Sequence, residues 1–198
     1  MISAWRRARC AGRSAGRLGD FLAVGRPSGR RGGLSRHVRC TGGQAWQWDG
    51  VLFEMLQPSA ESYGDRALKP NARGCTLRIR AARGSLLLAA DIEAAQEAQL
   101  VLNAHGQLAA DVLLAPHHGS GTSSTPDFLR AVHPRVAVFQ VGYRNRYRHP
   151  KREVYERYGA LGIERVRTDE AGAVMLDTGT GLVPVSYRRE HARYWYGR

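Results

Sequence analysis

The sequence has three cysteines, Cys10, Cys40 and Cys75, and no Cys-x-x-Cys pair. A cysteine-built zinc site is therefore not expected. A Cys40–Cys75 bridge and three free thiols stand as equal readings. No apolar run approaches the roughly 20 residues of a membrane span. The longest, Leu86–Ala90, has the length of a strand. The N-terminus lacks the apolar core of a secretory signal. The chain as written is thus expected to be soluble, with no export signal, transmembrane segment or lipid anchor. No Gly-x-Ser-x-Gly elbow occurs, which speaks against a serine hydrolase built on Ser120. Acidic residues are scarce: 17 Asp+Glu stand against 30 Lys+Arg, for a net charge of +13.

That charge is unevenly spread. Residues 1–39 hold ten Arg and one Asp, while the rest hold 20 Lys+Arg against 16 acids. The first stretch is Arg-, Gly- and Ser-rich with little periodicity, and it reads as mostly disordered. A nucleic-acid-binding arm is the other reading. The body is only mildly basic, which is compatible with a phosphodiester substrate without demanding one. With 198 residues, one domain is expected over 40–190, followed by a tail at 191–198.

Within that domain, Trp46–Trp48 and Val51–Leu56 flank an Asp49-Gly50 turn signal and read as a hairpin. Cys75–Arg80 alternates apolar and polar residues, as a half-buried strand does. Ser85–Ala89 reads as a buried strand that completes an antiparallel meander. An amphipathic helix is expected from Ile92 to Asn103. Strand Val112–Ala115, helix Pro126–Val132, strand Val136–Val141 and helix Pro150–Leu161 follow. Strands near Glu164–Thr168, Ala173–Leu176 and Leu182–Tyr187 close the domain. The class is α/β (α+β), with mixed sheets and outer helices.

Three loops hold the ionisable groups. Asp91 ends a buried apolar strand, where it either caps the next helix or faces a metal. His117 and His118 open a Gly- and hydroxyl-rich loop at the end of a second strand. Neutral imidazoles there can ligate a metal or accept a proton, and Ser120, Thr122 and Ser123 can hold phosphate oxygens. The loop Gly142–His149 sets Arg144, Asn145, Arg146 and Tyr147 beside one another, a composition suited to DNA phosphates and bases. His149 is either a ligand or a surface histidine next to a helix start.

Taken together, Ala115–Pro126, Val138–Pro150 and Arg167–Gly172 resemble the C-terminal metallo-β-lactamase-like domain of the ComEC family. Trp46–Val51, Pro70-Asn71 before Cys75, and Leu87–Glu93 match it as well, so the likeness covers about residues 40–188. It does not extend to residues 1–38, which implies a non-native start there. The family comprises DNA-internalisation proteins of natural competence. The resemblance implies a partial αββα sandwich on the periplasmic face of an inner-membrane DNA channel. It also implies a metal-dependent nuclease acting on DNA, single-stranded or duplex. By position it makes Asp91, His117 and His149 metal ligands for Zn²⁺ or Mn²⁺ and His118 catalytic. The chain departs from the family at Ala90 and Arg148, where glycines are usual. It also lacks the upstream His-x-His-x-Asp-His-type motif that supplies further ligands. The expectation is therefore a C-terminal fragment with impaired hydrolysis, holding one ion or none. A non-catalytic DNA-binding remnant is the alternative.

Overall fold

The computed structural model describes residues 38–193. The Arg-rich stretch expected to be disordered and the Tyr194-Trp-Tyr196 segment lie outside the described residues, apart from Val38 and Arg39. The chain from Ala45 builds a seven-stranded mixed sheet. Strands β1 (Ala45–Trp48), β2 (Val51–Gln57), β3 (Thr76–Ala81) and β4 (Gly84–Leu88) form the expected antiparallel meander. Helix α1 (Ala94–Leu108) then crosses to β5 (Val112–Leu114), which lies parallel to β4. Helix α2 (Pro126–Val132), β6 (Val136–Phe139), α3 (Arg152–Ala160) and β7 (Glu164–Arg167) continue the parallel half.

Strand alternation sorts the core into two faces. Leu87, Leu113, Ala137 and Phe139 pack with Ile92, Leu100, Phe128, Val132, Val154 and Tyr158 under the three helices. The alternate residues, among them Val112, Val136 and Val138, turn to the opposite face with Leu182. That face carries α4 (Thr168–Ala171), the ribbon of β8 (Val174–Met175) with β9 (Val185–Ser186), and α5 (Tyr187–Glu190). A cleft of about 440 Å³ remains there, walled by Leu86, Leu88, Leu114 and Val174. The mixed α/β class is as expected, with long helices on one sheet face and a short ribbon on the other. Among the described residues, no helix is long and apolar enough to cross a membrane.

Several boundaries differ from the sequence reading. Helix α1 starts later, because Glu93 is its N-cap and exchanges a capping box with Gln96. The same finding removes Asp91 from the capping role, one of its two expected readings. The helix runs on to Leu108 past a non-helical Ala104. The last strands are shorter than expected. Thr168 begins a helical turn, and Asp177, whose carboxylate accepts from the Gly179 N–H, folds the chain back. Cys40 and Cys75 are joined by a disulfide.

Candidate functional site

The C-terminal ends of β4, β5 and β6 open on one rim, where a parallel sheet presents its connecting loops for chemistry. After β4, Ala90 turns the chain at φ 50° and releases Asp91 half-exposed toward the rim. After β5, three consecutive residues, His117, His118 and Gly119, adopt positive φ of 46°, 57° and 80°. A non-glycine residue in that region costs about 1–2 kcal/mol, so surrounding bonds must hold it. His117 N–H donates to Ala90 O at 2.9 Å, Ser120 N–H to His117 O at 2.9 Å, and Lys151 N–H to Gly119 O at 2.8 Å. Gly119 is required, since a Cβ there would lie 2.6 Å from Pro150 Cβ and 3.0 Å from the Phe139 ring.

This turn aims the two histidines in different directions. His118 Nδ1 lies 2.8 Å from Gln140 O. A carbonyl only accepts, so Nδ1 carries a proton, which leaves Nε2 as the second ring nitrogen. That nitrogen lies 3.4 Å from Asp91 Oδ1. His117 Nδ1 lies 3.5 Å from Glu93 Oε1 and from Thr122 Oγ1, and its Nε2 lies 3.5 Å from Asn71 Nδ2. The His149 ring is centred 6.0 Å from that of His117 and stacks on Tyr147 at 5.9 Å. Burial, then the Lys151 cation and the neighbouring histidines, hold His149 below its ordinary pKa, against a smaller opposing pull from Asp91. Its Nδ1 is buried with no hydrogen-bond partner among the described residues.

The other expected site residues divide. Thr122 is exposed on the rim, and Ser120 Oγ sits 3.1 Å from its hydroxyl. Ser123 is placed elsewhere: its buried hydroxyl donates to Pro116 O and Ser120 O, so it shapes the loop and faces no ligand. Asn145 likewise folds its own loop, donating to His149 O at 2.9 Å and accepting from His149 N–H at 2.8 Å. Around it Tyr143 and Tyr147 are exposed, with Arg144 and Arg146 lying over their rings at 5.1 and 4.7 Å.

Sequence reasoning missed Glu97. It is fully buried on α1, and its two carboxylate oxygens accept the N–H groups of Ser124 at 2.5 Å and Thr125 at 2.7 Å. Arg157 donates to Ser124 O, and Ser124 Oγ meets Tyr158 OH at 2.9 Å. This network clamps the far end of the histidine loop. Its signal in the sequence was a carboxylate on the apolar stripe that includes Leu100.

Among the described residues, no three His, Cys, Asp or Glu side chains gather closely enough to hold a metal ion. The donors instead meet as two pairs, Asp91–His118 and Glu93–His117. In kind, imidazole and carboxylate donors suit a divalent cation, and His149 Nδ1 has no other partner among the described residues. A complete coordination sphere needs further groups.

No protein-family model matches the chain. Over 152 residues, 77% of its length, it is 41% identical to Competence protein ComA of Neisseria gonorrhoeae, covering 21% of that protein. It is 30% identical over 172 residues to Recombination protein 2 of Haemophilus influenzae, with 87% of this chain and 21% of that protein covered. It is 33% identical over 132 residues to ComE operon protein 3 of Bacillus subtilis, with 67% and 16% covered. The chain spans about one fifth of the length of these relatives. Their names fit a competence/ComEC-related family.

Proposed function

We infer that the chain is part of a ComEC-like competence protein that handles DNA during uptake, and that its histidine rim is part of a phosphodiester-cleaving site. The observation that carries this reading is the convergence of Asp91, His117, His118 and His149 at the ends of consecutive strands. The chain's share of the chemistry follows from the side chains. His118 Nε2, its tautomer set by Gln140 O, accepts a proton from an attacking water. Asp91 beside it stabilises the imidazolium that forms. Thr122 offers an exposed hydroxyl to phosphate oxygens, backed by the buried Ser120 hydroxyl 3.1 Å away, and Arg144 and Arg146 supply positive charge along the strand. A Zn²⁺ or Mn²⁺ ion held in part by Asp91, His117 and His149 would polarise the phosphodiester.

Histidine-ring NMR during Mn²⁺ or Zn²⁺ titration tests the site assignment. Saturable perturbation of His117 and His149 that weakens in Asp91→Ala supports it. Rings that ignore both ions would remove the metal from the reading.

The second reading is non-catalytic DNA binding. It is favoured by the exposed Tyr143 and Tyr147 under Arg144 and Arg146, and by the want of a gathered ligand set among the described residues. Under that reading DNA affinity falls with salt but ignores EDTA.

A further inference from the structure

The 3-10 turn Pro70–Arg73 has two sides. On one side Asn71 reaches His117 and Glu93, both at 3.5 Å. On the other, Ala72 walls a cleft of about 340 Å³ between residues 57–68 and α1. This volume lies in the range of small-ligand sites. Pro58, Leu68 and Ala72 give it apolar walls, and Gln57, Gln96 and Gln99 supply three amides. Glu61 and Asp65 add carboxylates, and Ser59 and Ser62 add hydroxyls.

The amides are the lining's main polar groups. Gln57 and Gln96 are 7% and 9% exposed. The Gln57 side chain has no hydrogen-bond partner among the described residues, although it faces the cleft. Gln96 uses only its carbonyl, as acceptor from Glu93 N–H at 3.4 Å, which leaves its NH₂ unused. Among the described residues neither amide is a buried group left without a partner, so both open on the solvent of the cleft, where a polar ligand can reach them. The cleft wall is built in advance. Arg73 ties it by donating to Ser62 O and Asp65 O, and Tyr63 donates to Cys40 O at 2.8 Å.

The lining selects the ligand class. No Lys, Arg or His lines the cleft among the described residues, while Glu61 and Asp65 do, so its charge disfavours a phosphate. Amides and carboxylates between apolar walls instead match a flat ring whose edge carries both donors and acceptors. Glutamine pairs with adenine, carboxylates accept from cytosine, and extruded bases are held between apolar faces.

We propose that this cleft takes one nucleobase of the DNA strand whose backbone lies at the histidine rim. The inference rests on the DNA part of the proposed function and adds the subsite that reads a base. The Pro70–Arg73 turn stands between the two, with Ala72 on the cleft and Asn71 at His117, so an occupied cleft also fixes the strand relative to His117.

Deoxynucleosides test it, because they carry a base and no phosphate. Side-chain amide NMR of the full chain, titrated with each of the four, should show saturable shifts of Gln57, Gln96 and Gln99. Affinity should fall roughly fivefold to tenfold in Gln57→Met, the loss of one hydrogen bond. Gln99→Leu, on an exposed helix position, should weaken binding in the same direction and serves if the buried variant fails to fold. Amides that stay unshifted, shifts confined to the Tyr143–Tyr147 loop, or variants that bind as the parent does would each overturn the proposal. Hydrolysis is read separately: binding without cleavage sinks only the catalytic reading, and cleavage without amide shifts sinks only this one.

Discussion

Glu97 shows how one buried side chain serves the rim without touching it. Both its oxygens are committed to N–H groups of the histidine loop. Glu97→Gln leaves one of those N–H groups facing an amide NH₂, so a loss of about 1–3 kcal/mol is expected in urea unfolding. Its pH signature has a definite sign. Burial raises the Glu97 carboxyl above its ordinary 4.5, outweighing the lowering by its hydrogen bonds and Arg157. The folded chain therefore keeps the proton that the unfolded chain has released. Stability should fall as pH rises through 4.5 and level off above the raised folded value. Glu97→Gln should lack that slope; an unchanged slope would assign it to other groups. At this scale the sequence was only partly legible. That Asp91, His117 and His118 follow closely on strands could be read from the apolar runs before them. The capping role of Glu93 could not be told from that of Asp91, because both precede the same apolar stripe. The inward turn of Ser123 and Asn145 depends on loop geometry that composition does not encode.

The element that organises the site is the left-handed turn at His117–Gly119. Its two strained histidines are held by β4, β6 and the start of α3 together, which is why no single motif announces it. Gly119→Ala should destabilise the chain by about 1–3 kcal/mol, since the new methyl meets Pro150 and Phe139 in a packed interior. Thermal unfolding reads this directly, and an unshifted midpoint would mean that the turn is free to relax. The Gly142–His149 loop is a second, separable element. Tyr147→Ala should weaken single-stranded DNA binding by about 1–3 kcal/mol if a base stacks there. Fluorescence anisotropy with a short oligonucleotide would show it, and an unchanged affinity would remove stacking from this loop. Strands and helices were largely legible because apolar alternation in β3 and helical spacing in α1 are strong signals. Their ends were not, because capping and short turns such as Thr168–Ala171 are decided by neighbouring segments.

For the whole molecule, the two sheet faces differ. One is sealed by α1, α2 and α3. The other is covered by a short ribbon and keeps an apolar cleft along Leu86, Leu114 and Val138. The Cys40–Cys75 bridge spans 35 residues and ties the entry to β1 to the start of β3. Closing a loop of that length stabilises a fold by about 4 kcal/mol in the chain-entropy account. Reduction should therefore lower the midpoint of unfolding, and calorimetry with and without reductant would reveal an indifferent bridge. The central claim, that the rim is part of a phosphodiester-cleaving site, is tested most directly by DNA hydrolysis with Mn²⁺ or Zn²⁺. The comparison needs the full chain, Asp91→Ala and His118→Ala. The account predicts weak cleavage that EDTA and Asp91→Ala abolish and that His118→Ala lowers about 100-fold or more. Salt-sensitive DNA binding with no cleavage at any metal concentration, or cleavage indifferent to Asp91, would contradict it.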